Sequence, residues 1–584
     1  MNGDRTGQPL TRRQLLGRLG GLGLAAAGTA LLAACQSQAP APPPATSAPA
    51  AAAKPTDAPK PAEAAKPAQA APAAAGAGKG GQASMAIFGS PGSSLLANFT
   101  TTNYAITISQ CYFESLLDYD AKLQFQPKLA DKWDLSPDGK TYTFHMRPGV
   151  KWSDGQPLTA RDVEATVMAM THPATVTNWI SYVEEIVGAL ERKQGKREDV
   201  PGLQVVDDST FKVTTINPSA TFLDLFGTEF SVLPKHILDG IPMDQLLKSP
   251  FAGTPNVSTG PFRLVSYQAD QVAEMERNPN YWGKAPNLDK AFIKIMTPET
   301  AIVQLEKGDL EVIPGEISGE LPPAEAERLK KNPDITVTSY PNSNTETLYA
   351  NIKTIFPDVR MRQALYYAID REAIVKQVLL GYGKVAYSVY PEFSPYYLAD
   401  LNKYPYSPDK AKQLLNEAQF DFSKKPNFLV PTGDTVREQN ATIIQQYLQA
   451  VGINAEIERV DFATSVARTT KEHRFDLAIT QNRGFNNLDL SRRFATNMYD
   501  AGVNSAGYSN PELDRIMVEA RSKVKPEDQK PLTDQIQRII NNDVPTVMIY
   551  YRDSIGAVNT KKLDGAVPHY RGVHRTMADW SLKA

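Results

Sequence analysis

Few residues in this 584-residue chain stand in patterns that do covalent chemistry. The six histidines (His145, His172, His236, His473, His569 and His574) include no tight ligand pair. His569 and His574 lie five apart near the C-terminus and read as surface rather than metal ligands. There is no HExxH zinc helix and no Gly-x-Ser-x-Gly nucleophile elbow. Asp and Glu are plentiful, yet no constellation singles out the carboxylate pair that glycoside hydrolysis needs. Cysteine occurs only at Cys35 and Cys111. Of the two, Cys35 has a setting that points to a reaction. It ends Leu32-Ala33-Ala34-Cys35, after an apolar stretch from Leu19 to Ala34 and a start carrying Arg5, Arg12, Arg13 and Arg18. A charged start, a short apolar middle and small residues before a cut describe an export signal, not a membrane span. The expectation is a protein that is not an enzyme and holds neither cofactor nor metal.

Cys35 in that setting resembles the bacterial lipobox, whose thiol takes a diacylglycerol before cleavage. Thr11-Arg12-Arg13-Gln14-Leu15-Leu16 likewise resembles the twin-arginine export motif. The two routes of export, twin-arginine and general secretory, stay open. Either implies an extracytoplasmic protein, lipid-anchored at Cys35 to the cell membrane, in the periplasm or on the outer face of the cytoplasmic membrane. With Cys35 acylated, Cys111 has no partner for an intramolecular disulfide.

Net charge is −2 and no basic run interleaves with aromatics, so nucleic acid is not an expected partner. The 42% hydrophobic and 22% charged content suit a folded body large enough for two or three lobes, and a monomer is expected. From Gln36 to about Ala83 the chain is mostly Pro and Ala, with too little apolar bulk to offset the entropy of ordering. This reads as a disordered tether, with a reach of about 40 Å for about 50 residues of flexible coil.

Beyond the tether, strands and helices alternate without a strict rhythm. Tyr142, Phe144 and Met146 alternate with Thr143, His145 and Arg147, as in a half-buried strand. Thr159-Ala160-Arg161-Asp162 reads as a capping-box helix start. Residues 202–215 read as a hairpin turning at Asp207-Asp208-Ser209. Asp358 is placed to cap a helix burying Met361, Ala364, Leu365, Ala368 and Ile369. Ser407-Pro408 and Asn510-Pro511 each set a cap before a first-turn proline. Ile443, Ile444, Tyr447, Leu448 and Val451 form a buried helical stripe, and Val547 to Tyr551 a buried strand. Such mixing favours several α/β lobes over a barrel or solenoid.

A nearly continuous block carries a family resemblance. It runs through Leu129-Ala130-Asp131-Lys132-Trp133, Ser136 to Phe144, Arg147-Pro148-Gly149-Val150-Lys151-Trp152-Ser153-Asp154-Gly155 and Leu158 to Val163. With Thr259-Gly260-Pro261-Phe262, Arg277-Asn278-Pro279-Asn280-Tyr281-Trp282, Asp358 to Leu365, Ala368 to Arg371 and Asn510 to Asp514, it closely resembles extracytoplasmic solute-binding proteins of family 5. These are the peptide, dipeptide and nickel receptors of ABC importers. Most of the motifs read as structural. Trp133, Trp152 and Trp282 are expected in cores with locally bonded indoles, and Arg277 and Arg360 as braces.

The resemblance implies an α/β, two-lobed, periplasmic-binding-protein-like clamp (type II, three-domain variant) with a hinge. The expected limits are signal 1–35, tether 36–83, and a first lobe of 84–116 plus 236–345 plus 545–584. An inserted smaller domain spans 117–235 and a second lobe 346–544. Solute bound between the lobes would favour the closed state, which docks on permease subunits with no covalent chemistry. A sensor that signals to a membrane partner would need the same closure.

The solute is expected to be small, a peptide or, alternatively, an oligosaccharide; a nickel complex or heme is a lesser alternative. Peptide receptors of the family carry a Trp and then an acidic residue after the Phe-Asp of the second lobe. Aligned on Phe475-Asp476, those positions fall on Asn482 and Phe485. Either Asp489 supplies the carboxylate from a shifted loop, or the solute lacks a free amine, because an unpaired buried ammonium costs several kcal/mol. Asn482, Asn486 and Asn487 with Phe485 would also suit hydroxyl-rich solutes, and Arg483 between them is a further candidate contact. Further candidate contacts are Ser90 in a Gly/Ser loop, Trp179 with Tyr182 in the inserted domain, and Tyr349 with Asn351 just after the crossing between lobes.

Overall fold

A computed structural model of the chain describes residues 80–100, 102–120, 124–177, 179–316, 318–482, 489–500, 504–567, 569 and 572–583. Cys35, the tether up to residue 79, Arg483, Phe485, Asn486 and Asn487 lie outside the described residues.

Three sheets organise the body. The first has seven strands, in the order Ile335–Tyr340, Ser554–Asn559, Val312–Ile313, Gln82–Ile87, Lys290–Ile295, Val272–Arg277 and Phe262–Gln268. Its centre is parallel, with Met85 opposite Ile293, and the strands from Val272 and Phe262 extend it antiparallel. The second has six strands, in the order Gly383–Val385, Val547–Arg552, Thr345–Ala350, Leu477–Asn482, Asn427–Pro431 and Glu456–Val460. The third is an antiparallel sheet of four, Ala130–Leu135, Thr141–Met146, Thr210–Thr214 and Leu203–Asp207. Thr141–Met146 alternates part-buried and buried as its sequence pattern requires, sending Tyr142, Phe144 and Met146 inward.

Cores decide which sheets move together. Met85, Ile293 and Phe262 of the first sheet lie in one continuous apolar cluster with Phe144, Phe211 and Val213 of the third. Leu348, Phe428 and Tyr550 of the second sheet, with Ile444 of the helix Thr435–Ala450, form a separate cluster. A shared, close-packed core holds two sheets as one body, whereas separate cores leave freedom between them. Only two short connections join the first and second sheets: residues 341–344, and Asp553 alone. At the crossings the Asn342 amide donates to the Ser554 hydroxyl at 2.6 Å, and the Arg552 N–H to the Asn344 carbonyl at 3.3 Å.

The strand from Val547 corrects one expected boundary. Val547 and Met548 pair with Leu348 and Thr347, so this strand belongs to the second sheet and the return crossing is at Asp553, not near 545. The cap residues act as their types demand. Thr159 and Asp162 close a reciprocal capping box, and Asp358, Ser407 and Asn510 each accept an N–H of the first turn. Arg277 braces the Leu288 and Asn287 carbonyls, and Arg360 grips Asp358. Trp282 donates to Glu114 at 2.7 Å. Trp152 departs from expectation, since its buried indole N–H has no partner.

Candidate functional site

A chamber of about 660 Å³ opens where the third sheet's neighbourhood faces the second lobe. One wall is the turn Ile180–Tyr182 with Glu184 and Glu185, continued by residues 216–219. The other is the helix Pro511–Ser522, through Arg515, Val518, Glu519 and Arg521, together with Asp489, Ser491 and Arg492. The walls touch at one edge, where the Ala220 N–H donates to the Arg521 carbonyl at 2.9 Å. The volume lies within the range of small-molecule sites.

Charge is distributed unevenly across it. On the helix wall, Arg515 pairs with Glu519 at 2.9 Å and Arg521 lies 3.7 Å from Asp489. Opposite, Glu184 and Glu185 form no contact ion pair among the described residues, and one oxygen of Glu185 is buried without a hydrogen-bond partner. Burial raises the pKa of both, opposed at Glu184 by Arg492 and then Arg521, and at Glu185 by the Ser219 hydroxyl and then Arg521. Burial outweighs the attraction because the guanidiniums stand off across the cavity.

Of the sequence-derived candidates among the described residues, Asp489 alone lines this chamber. Asp489 lines it but is engaged, accepting from the Ser491 N–H at 3.0 Å and from the Ser491 hydroxyl as well as facing Arg521. Trp179 and Tyr182 stack with ring centres 5.5 Å apart just behind the Glu184 wall, and the Trp179 indole donates to the Thr100 carbonyl at 2.8 Å. Tyr349 and Asn482 meet on neighbouring strands, the hydroxyl donating to Asn482 Oδ1 at 3.0 Å, and Asn482 Nδ2 has no hydrogen-bond partner among the described residues. Asn351 is buried and its amide works within the fold. It donates to the His473 and Phe475 carbonyls and accepts from the Lys353 N–H. Ser90 is exposed and its hydroxyl accepts from Gly92 N–H, which is turn geometry.

A second charged region sits beside the crossings. Arg552 reaches Glu320 at 3.2 Å and Asp434 at 3.4 Å, while Arg437 reaches Glu346 at 2.8 Å and Asp434 at 3.6 Å. Three carboxylates thus face two guanidiniums, with Glu346 buried and Glu320 and Asp434 partly exposed. Glu320 comes from the first lobe and the other four from the second or its crossing, so the network spans the hinge. Burial pushes Glu320 up to about 7, against the pull of Arg552, whereas Arg552 and Arg437 hold Asp434 below its ordinary value. The protonated form of Glu320 absorbs the surplus negative charge.

Comparison with known proteins decides the family. Residues 124–504 match the family model for bacterial extracellular solute-binding proteins, family 5. The chain belongs to that family. Its members are substrate-binding proteins of ABC transporters, not enzymes, and work outside the cytoplasm. This family 5 chain is 28% identical over 469 residues to the dipeptide-binding protein of Escherichia coli K12, covering 77% of this chain and 84% of the relative. It is 28% identical over 530 residues to the oligopeptide-binding protein AppA of Bacillus subtilis, covering 87% and 94%. The substrate-binding protein CtaP of Listeria monocytogenes has a similar structure, with a TM-score of 0.76 at 24% identity over 86% of this chain and 99% of that one. The fold is the two-lobed clamp of that family.

Sequence reading of this family 5 clamp missed Glu184, Glu185, Arg492 and Arg521. The short turn at Ile180–Tyr182 has no periodic pattern to flag, and the facing arginines lie about 300 positions downstream. An acidic doublet followed by an apolar residue was the only available signal.

Proposed function

We propose that this chain is the solute-binding lipoprotein of an ABC importer, capturing peptide-like solutes by hinge closure and delivering them to membrane permease subunits. The observation that carries this reading is the chamber of about 660 Å³ between two bodies joined by only two short crossings. Solute contacts to both walls exist only when they are together, so binding shifts the population toward the closed form. The relatives named for dipeptides and oligopeptides support a peptide-like cargo. In this reading the second lobe runs from 346 to 552, the first lobe and the inserted domain of about 117–235 close against it, and 36–83 tethers the body to lipid on Cys35. Tyr349, Asn482, Trp179, Tyr182, Ser90 and Asp489 are the proposed contacts among the described residues, and Arg483 and Phe485 are proposed from the sequence alone.

Thermal unfolding with peptide and oligosaccharide libraries, followed by mass spectrometry of the recovered solute, tests the function. Peptides should raise Tm and be recovered intact. A rise with oligosaccharides alone would replace the peptide reading, and conversion of any solute into products would end the receptor reading. Cys35→Ser should release the protein from membranes with Tm unchanged; retention in the membrane fraction would remove the lipid anchor.

A further inference from the structure

The chamber's uneven charge sets a requirement on what fills it. Asp489, the carboxylate that the sequence offered to a free amine, is already held by Ser491 and Arg521. A solute cation must then be met elsewhere. Glu184 has no contact ion pair among the described residues, and Glu185, whose side chain interacts with Ser219, keeps one buried oxygen unsatisfied. A buried oxygen left without a donor keeps its desolvation cost, so a donor arriving with the solute is favoured there. Across the gap, Arg492 makes no ion pair or side-chain hydrogen bond among the described residues, although it lines the same space and acts on Glu184 through it. Between these poles, Ile216 and Val518 leave 47% and 65% of their surface exposed from opposite walls, placing apolar surface where the middle of a guest would lie.

We propose that the chamber selects a dipolar solute, with a cationic head received by Glu184 and Glu185 of the inserted segment and an anionic group turned toward Arg492. This rests on the receptor reading and refines it. The cation's acceptor lies on the first-lobe body, not on the second lobe, so its capture itself draws the two bodies together. Raised carboxylate pKa values at both positions add that the cation also restores their ionised form on binding.

The test is native mass spectrometry and calorimetry of the full chain against one mixed library. It contains tri-alanine, tri-alanine amide, N-acetyl-tri-alanine, N-acetyl-Ala-Lys-Ala amide, free lysine and neutral oligosaccharides. Wild-type protein should retain tri-alanine and lose at least tenfold in affinity on N-acetylation. The double variant Glu184→Gln with Glu185→Gln should lose the same tenfold for tri-alanine and nothing further on acetylation. Arg492→Gln should weaken tri-alanine more than its amide. Retention of N-acetyl-Ala-Lys-Ala amide would assign the cationic head to a basic side chain, and retention of tri-alanine to the α-ammonium. Equal retention of acetylated and free tri-alanine, or the acetylation effect persisting in the double variant, would overturn the chamber proposal while leaving the peptide reading intact. Retention of lysine without any peptide would do the reverse. Oligosaccharides alone, or no retained compound, would count against both. A Tm of the double variant equal to wild type shows that the fold is unaffected, since Gln is isosteric with Glu.

Discussion

The hinge and the chamber are built from the same residue types and put them to opposite uses. Beside the crossings, Glu320, Asp434 and Glu346 lie within contact distance of Arg552 and Arg437. In the chamber, Glu184 and Glu185 look across open space at Arg492 and Arg521 without touching them. Contact ties a charge into the fold, even where Arg552 Nε and one Glu320 oxygen gain no hydrogen bond from it; separation leaves it available to a guest. The difference teaches that a receptor of this design stores its binding capacity in the unpaired set and its mechanical coupling in the paired one.

The comparison breaks most visibly at Arg552. Arg552→Met would strand Glu320 and Asp434 without their shared guanidinium. The expected loss is about 3–5 kcal/mol in chemical denaturation, as for other buried pairs cut on one side. A loss below 1 kcal/mol would mean that the hinge network is not structural.

Next comes pH. Glu320 has a folded-state value near 7 against an ordinary 4.5, so the folded protein holds a proton that the unfolded chain has released between those limits. Stability should therefore fall as pH rises from about 4.5 to 7, by up to about 3 kcal/mol from this group. Glu320→Gln should flatten that part of the profile, as measured by denaturation midpoints across the range; an unchanged slope would assign the proton elsewhere.

A smaller effect is expected at Asn351. Asn351→Ala removes the donors to the His473 and Phe475 carbonyls and should cost about 1–3 kcal/mol, with solute affinity unchanged once the protein is folded. Selective loss of affinity would return Asn351 to the binding surface. Smallest of all, the Glu184→Gln, Glu185→Gln double variant should stay within about 0.5 kcal/mol of wild-type stability. A large destabilisation would move those carboxylates into the structural class and erase the contrast with the hinge.

Local features were the legible ones. Thr159, Asp358, Ser407 and Asn510 announce their helices because a cap acts on N–H groups two or three residues away. The alternation at Tyr142, Phe144 and Met146 reports a face for the same reason. The strand Val547–Arg552 was readable as a strand, but its partner was not, since apolar residues carry no address; its pairing with Thr345–Ala350 had to come from the structure. Asn351, in a run that reads as cleft-facing, instead stitches backbone from a segment about 120 residues away. The chamber's acids and arginines share that difficulty at greater distance, because nothing in Glu184-Glu185 refers to Arg492.

One measurement reaches the centre of this account. Val176 on the inserted segment and Phe462 on the second lobe are 67% and 61% exposed and do not line the chamber. Spin labels at Val176→Cys and Phe462→Cys, in a Cys35→Ser background, report the separation of the two bodies by pulsed electron resonance. Hinge closure predicts a broad or two-peaked distance distribution that collapses to its shorter component when saturating tri-alanine, or whichever library solute binds, is added. A distribution identical with and without a solute that calorimetry shows to be bound would contradict it.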